Sequence, residues 1–128
     1  MRMTTRFRQL LKAPGIIQAP GAYDCLTANI IQKAGFPAVY MTGAGTSVAQ
    51  LGYPDLALAS MTEMVQNAAS ITETLAVPLI ADADTGYGGV LNVRRTVRQY
   101  ERAGVAAIHI EDQESPKRCG HLLSLIHI

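Results

Sequence analysis

Pro78-Leu79-Ile80-Ala81-Asp82-Ala83-Asp84-Thr85-Gly86-Tyr87-Gly88-Gly89 decides how this 128-residue chain is read. Leu79 to Ala83 is an apolar run of strand length that delivers two carboxylates, Asp82 and Asp84, to its end and then breaks into the glycine-bearing loop 85–89. Residues two apart on a strand point to the same side, which predicts that the pair faces one spot at the end of an element. Two anions held together require a cation or a shared proton.

Outward from that strand the chain keeps one rhythm. Ser60 followed by Glu63 is a capping-box signature, and Met61, Met64, Val65, Ala68, Ile71 and Leu75 mark a helical apolar face running up to Pro78. Downstream, Val93, Val97 and Tyr100 predict a helix over 93–103 stopped by Gly104, and a fourth strand over 106–110 again ends on acids, Glu111 and Asp112. Upstream, a strand over 38–41 leads into Thr42-Gly43-Ala44-Gly45-Thr46, a turn whose glycines let backbone approach a ligand. Before it, a strand over 16–19 is closed by Pro20-Gly21, and Asp24 caps a helix over 26–34 that Gly35 ends.

Strand alternating with helix predicts a parallel sheet with helices outside it. Asp82, Asp84 and Glu111 then all fall at carboxyl ends of strands, the edge where such folds bind ligands. The expected fold class is α/β, and the four β-α units amount to the N-terminal half of a (β/α)8 barrel, which takes about 250 residues. The expectation is therefore a truncated barrel over residues 1–122. Residues 123–128, which carry no turn, cap or charge, are read as a non-native tail.

A net charge of +1, with 48% hydrophobic and 16% charged residues, gives no single-sign field to draw a nucleic acid or a membrane surface. A small molecule is the expected partner. No apolar run approaches the roughly 20 residues of a bilayer span. The basic opening, with Arg2, Arg6, Arg8 and Lys12, lacks the apolar core of a secretory signal. Phe7, Leu10 and Leu11 suit an amphipathic first helix there, and the start of a transit peptide is the alternative. Cys25 and Cys119 make no disulfide framework, so both are expected reduced, in the cytoplasm or, in a eukaryote, the mitochondrial matrix.

Asp82, Asp84, Glu111 and Asp55 together suit a hard divalent cation such as Mg2+, with Mn2+ as a substitute, because such ions take oxygen ligands and keep several waters. Taken singly, each acid could equally be a helix cap. Lys117-Arg118-Cys119-Gly120-His121 is the second constellation: a thiol among Lys, Arg and His has neighbours that favour the thiolate, useful for proton transfer or attack. Alone it would be a solvated basic turn, but it falls eight residues after Glu111, on the loop leaving the same edge. Cys25, at a helix start, is read as core, and His109, between Ile108 and Ile110, as packed structure. Asp84-Thr85-Gly86 matches the aspartic-protease triplet, which the helical segments contradict, and Gly43-Ala44-Gly45 lacks the third glycine of a dinucleotide loop, Val48 standing there.

Five motifs in order, Tyr40-Met-Thr-Gly-Ala-Gly45, Leu51-Gly-Tyr-Pro-Asp55, Asp82-Ala-Asp-Thr-Gly-Tyr-Gly-Gly89, His109-Ile-Glu-Asp-Gln113 and Lys117-Arg-Cys-Gly-His121, resemble the isocitrate lyase and phosphoenolpyruvate mutase superfamily over about residues 6–122. Lys117–His121 resembles the carbon–carbon lyases of that superfamily, notably the 2-methylisocitrate lyases, rather than the phosphonate mutases. The resemblance implies a (β/α)8 barrel, a homotetramer with a helix exchanged between subunits, and Mg2+ in the active site. It implies that Asp82 contacts the metal, that Asp84, Glu111 and Asp55 hold its waters, and that Thr42, Gly43 and Ala44 bind a 2-oxo-acid carboxylate near the pocket tyrosine Tyr40. The superfamily often has Ser where Thr42 stands and Gly where Ala44 stands.

The chemistry so implied is retro-aldol: a 2-hydroxy di- or tricarboxylic acid chelated to Mg2+ loses its hydroxyl proton and the adjacent C–C bond breaks, as in 2-methylisocitrate giving pyruvate and succinate. Cys119 supplies the proton to the carbanion, with His121, Lys117 and Arg118 tuning or positioning it. An oxaloacetate hydrolase or decarboxylase is the enzymatic alternative. Since superfamily members continue past Leu122 with four further β-α units, an inactive half-barrel is the alternative of another class.

Overall fold

Four short strands, β1 (Gly21–Ala22), β2 (Val39–Met41), β3 (Leu79–Asp82) and β4 (Ala107–His109), lie in the order β1-β2-β3-β4 in a computed structural model that describes residues 1–114 and 117–119. Every pair is parallel, with Tyr40 opposite Gly21, Ile80 opposite Tyr40 and Ala107 opposite Ile80. Parallel neighbours need crossovers, and helices α2 (Cys25–Lys33), α4 (Met61–Thr74) and α5 (Val90–Arg102) supply them. The strand order, unbroken in sequence, is that of a barrel wall, and the chain is a partial (β/α) barrel as its sequence predicts.

The helices settle on one face of the sheet because the alternation of side chains gives them something to cover. Val39 and Met41 on β2 and Leu79 and Ala81 on β3 are buried, and they meet Met64, Ala68, Ile71 and Leu75 from α4 and Tyr100 from α5. The in-between residues, Tyr40, Ile80 and Ala107, are only half-buried on the opposite face. Both predicted caps form. Asp24 accepts from the Thr27 amide at 2.8 Å, and Ser60 and Glu63 satisfy each other's backbone N–H groups. Helix α1 (Met3–Lys12) buries no residue fully and is tied to the body by the Arg6 guanidinium, which donates to the Ala76 carbonyl.

Several expected elements are displaced. The strand expected over 16–19 is instead the two-residue β1, because Pro20, whose carbonyl accepts from the Tyr40 amide at 3.0 Å, has no N–H with which to continue the ladder toward residue 16. The Thr42–Thr46 turn is the start of a helix, α3 (Gly43–Leu51): Thr42 caps it through Oγ1, which accepts from the Gly45 amide at 3.2 Å, and both glycines lie within the helix. Helix α5 begins at Val90, three residues before the expected start, since Gly89 rather than a polar side chain forms its N-cap. Among the described residues no helix is long and apolar enough to cross a membrane. Residues 120–128, including His121 and the segment read as a tail, lie outside the described residues.

Candidate active site

Strand β3 ends at Asp82, and the backbone beyond it is not extended. Asp84 has φ 46°, the left-handed region that Asp tolerates better than most residues, so the two-residue alternation stops before it. Asp82 and Asp84 are therefore close neighbours held by different partners. The turn is held by the Asp84 amide donating to Asp82 Oδ1 at 2.9 Å, the Gly86 amide donating to the Ala83 carbonyl at 2.9 Å, and the Glu111 amide donating to the Asp84 carbonyl at 2.7 Å. The last bond fixes the acid after β4 against the acid after β3.

Asp82 faces α3. Its Oδ2 accepts from the Gly43 amide at 3.1 Å, and a Cβ added to Gly43 would lie 2.5 Å from that oxygen, so only glycine allows the approach. From the other side Tyr100, 1% exposed, donates its Oη to the Asp82 carbonyl at 2.9 Å and stands 3.3 Å from the Tyr87 hydroxyl. Burial, helped by the charges of Asp82 and Asp84 and opposed by the hydrogen bond to the Tyr87 hydroxyl, pushes the Tyr100 phenol up to about 12, so it remains a donor. Tyr100 was legible in the sequence only as part of a helical apolar face. Its bond to Asp82 depends on which residue the sheet places opposite it.

Asp84, Asp55 and Glu111 are gathered by one cation. The Lys117 ammonium, fully buried, pairs with Asp84, lies 2.9 Å from Asp55 Oδ1 and lies 3.9 Å from Glu111 Oε1. Burial works against the Lys117 charge, but the hydrogen bonds to Asp84 and Asp55 outweigh it and hold its pKa above the ordinary lysine value. Burial likewise works to raise the pKa of Asp84, against the attraction of Lys117. Gln113 joins the two parts of the segment: its Nε2 donates to Glu111, and its Oε1 accepts from the Arg118 amide at 3.0 Å. The Arg118 side chain is exposed.

A cavity of about 630 Å³ opens beside this cluster, and its lining includes Thr42, Ala44, Asp55, His109, Glu111 and Cys119. Cys119 is a free, half-buried thiol on that wall, while Cys25, also free, packs against the core. His109 is not the packed residue that its apolar neighbours in sequence suggest. It is exposed on the inner face of the sheet, with Nδ1 3.2 Å from the Tyr40 hydroxyl. The Tyr40 phenol is pushed up to about 12, by burial first and then by the charges of Asp82 and Glu111. Thr42 and Ala44 bring the N-terminus of α3 to the wall, where the first amides of a helix have no intrahelical acceptor. Of those amides, that of Gly43 is already taken by Asp82 and that of Gly45 by the Thr42 hydroxyl.

The donor set suits a hard divalent cation. Asp55, Asp82, Asp84 and Glu111 offer only oxygen, and their four negative charges exceed the one positive charge of Lys117. Among the described residues, however, no three or more His, Cys, Asp or Glu side chains stand at metal-holding spacing, and the Lys117 ammonium takes the centre between Asp55, Asp84 and Glu111. The acids fit such an ion by the chemistry of their oxygen donors.

Residues 7–127 match the family model described as phosphoenolpyruvate phosphomutase. The chain belongs to that family. Among curated members of the phosphoenolpyruvate phosphomutase family and its superfamily, it is 54% identical over 123 residues to 2,3-dimethylmalate lyase of Eubacterium barkeri, covering 96% of this chain and 43% of that protein. It is 45% identical over 120 residues to 2-methylisocitrate lyase of Halalkalibacterium halodurans, covering 94% of this chain and 40% of that one. Two solved structures superpose closely. One is oxaloacetate acetylhydrolase in complex with the inhibitor 3,3-difluorooxalacetate, at TM-score 0.89 and 49% identity over 92% of this chain and 41% of that one. The other is phosphonopyruvate hydrolase in complex with oxalate and Mg2+, at TM-score 0.86 and 36% identity over 92% of this chain and 41% of that one. This phosphomutase-family chain thus spans less than half the length of the relatives it matches.

Proposed function

We propose that this site belongs to a divalent-cation-dependent lyase that cleaves the C–C bond beside the hydroxyl-bearing carbon of a 2-hydroxy di- or tricarboxylic acid, 2-methylisocitrate and 2,3-dimethylmalate being the models. The observation that carries the proposal is that one cavity wall joins Glu111 beyond β4, Asp55, a helix N-terminus and the Cys119 thiol, and that Asp84, beyond β3, shares the Lys117 ammonium with Asp55 and Glu111. Asp82, Asp84, Glu111 and Asp55 are the residues to hold Mg2+ or Mn2+. Such an ion, when bound, stabilises negative charge on the hydroxyl and oxo oxygens of the reacting acid.

The remaining work falls to the chain. The Ala44 amide at the start of α3, with the Thr42 hydroxyl, orients the substrate carboxylate, and Tyr40, kept protonated, donates into the pocket. When the hydroxyl gives its proton to a solvent water, the electron pair of the O–H bond forms the C=O of the oxo acid and the pair of the adjacent C–C bond is left on the carbon beside the second carboxylate as a carbanion. Cys119 Sγ gives its proton to that carbon and becomes a thiolate. With Lys117 held by the acids, Arg118 and His121 are the groups proposed to position the thiol. Oxaloacetate hydrolysis is the second reading, favoured by the 49% identity to oxaloacetate acetylhydrolase.

The test is to supply the chain and Mg2+ with 2-methylisocitrate, 2,3-dimethylmalate or oxaloacetate and to follow oxo-acid release or oxaloacetate loss. We expect Mg2+-dependent cleavage of a 2-hydroxy acid that Cys119→Ser lowers by about 10²-fold or more. Consumption of oxaloacetate alone selects the second reading. A folded chain that turns over none of the three is a non-catalytic partial barrel.

A further inference from the structure

Lys117 makes a contribution that the proposed lyase chemistry does not use. Its side chain is wholly buried, and its ammonium stands among Asp55, Asp84 and Glu111. A divalent cation drawn to the same carboxylates meets a positive charge already in place, and the two repel each other at contact distance. The lysine is also the inner anchor of the segment that carries Cys119, whose second described tether is the Arg118 amide on Gln113. Release of the ammonium removes one of the two described tethers of the segment that carries the thiol two residues on.

We infer that Lys117 is a displaceable internal counter-ion. It neutralises part of the acidic cluster when no divalent cation is bound, competes with that cation for Asp84 and Asp55, and so couples metal uptake to the placement of Cys119 on the cavity wall. The inference rests on the proposed metal site, and it adds a regulation of that site. Its physical logic is exchange: one positive charge on a flexible stem leaves, two positive charges arrive, and the Asp55 and Asp84 carboxylates keep a cationic partner throughout. Lys117 is in this sense a positioning residue, acting on Cys119 through the backbone.

Calorimetric titration with Mg2+ alone, on the wild-type chain and on Lys117→Met, tests the competition, and the iodoacetamide alkylation rate of Cys119 with and without Mg2+ tests the coupling. Removing the competitor should tighten Mg2+ binding by tenfold or more. Mg2+ should change the alkylation rate of the wild type at least threefold and leave that of Lys117→Met unchanged. Lys117→Arg, which keeps the charge, should bind Mg2+ no more tightly than the wild type, and it carries the test if Lys117→Met does not fold: tighter binding by Lys117→Arg, or an alkylation rate in the wild type that ignores Mg2+, overturns the inference. Equal or weaker Mg2+ binding by a folded Lys117→Met also overturns it while leaving the metal-dependent reading intact. Absence of Mg2+ binding in both the wild type and Lys117→Met overturns the two together.

Discussion

Gly43 shows how much of the site hangs on one residue. Its amide reaches Asp82 at 3.1 Å only because no Cβ stands between them. Gly43→Ala places a methyl 2.5 Å from Asp82 Oδ2 and 2.9 Å from its Cγ, and the carboxylate has to turn away. The expected outcome is at least a tenfold loss of Mg2+ affinity with the helical circular-dichroism signal retained, because alanine is a better helix former than glycine at the start of α3. Calorimetry and circular dichroism on the same sample check both halves. The types of residue at the site, carboxylates, a thiol and loop glycines, were legible from sequence. Two partnerships were not: the Tyr100 bond to Asp82 and the His109 bond to Tyr40 join residues 18 and 69 apart in the chain, and no local pattern records such distances.

At the scale of the element, capping chemistry explains why helix boundaries could be placed where polar side chains mark them and not elsewhere. Asp24 binds the Thr27 amide and hydroxyl, at 2.8 and 2.7 Å, and α2 starts one residue later, close to where its sequence predicts. Helix α5 starts behind a glycine with no side-chain cap, three residues ahead of the start that its apolar spacing predicts. The Asp24 carboxyl lies below its ordinary 3.8, through the Thr27 amide first and the Thr27 hydroxyl second. A depressed pKa in the folded state means that the cap stabilises fully above the unfolded value and ceases to do so as pH falls through the folded one. Asp24→Ala should therefore cost about 1 kcal/mol at pH 7, a loss that shrinks as pH drops below 3.8. Urea unfolding of both proteins at pH 7 and at pH 3 gives the comparison.

For the whole molecule, stability resides on one side of the sheet. Ile71 and Met64 of α4 are 0% and 1% exposed against β2 and β3, whereas the inner face presents Tyr40, Ile80 and His109 to the cavity side. Ile71→Ala removes a branched side chain from the middle of the helix–sheet layer and should cost about 2–5 kcal/mol, a large share of the roughly 5–15 kcal/mol that holds a domain. A loss of stability under about 1 kcal/mol in urea unfolding would mean that the layer does not pack as described. Sequence by itself determined the α/β class, the parallel order and the edge at which the acids collect, because period, caps and chain-ordered crossovers are local properties that propagate to topology. Tertiary structure alone decided that β1 shrinks to two residues, that Asp84 leaves the strand, and that Lys117 turns inward to three carboxylates rather than staying beside Cys119. Those outcomes depend on which backbone lies opposite and which charges lie within reach after folding, and a Coulomb field between residues 33 and 62 positions apart has no signature along the chain.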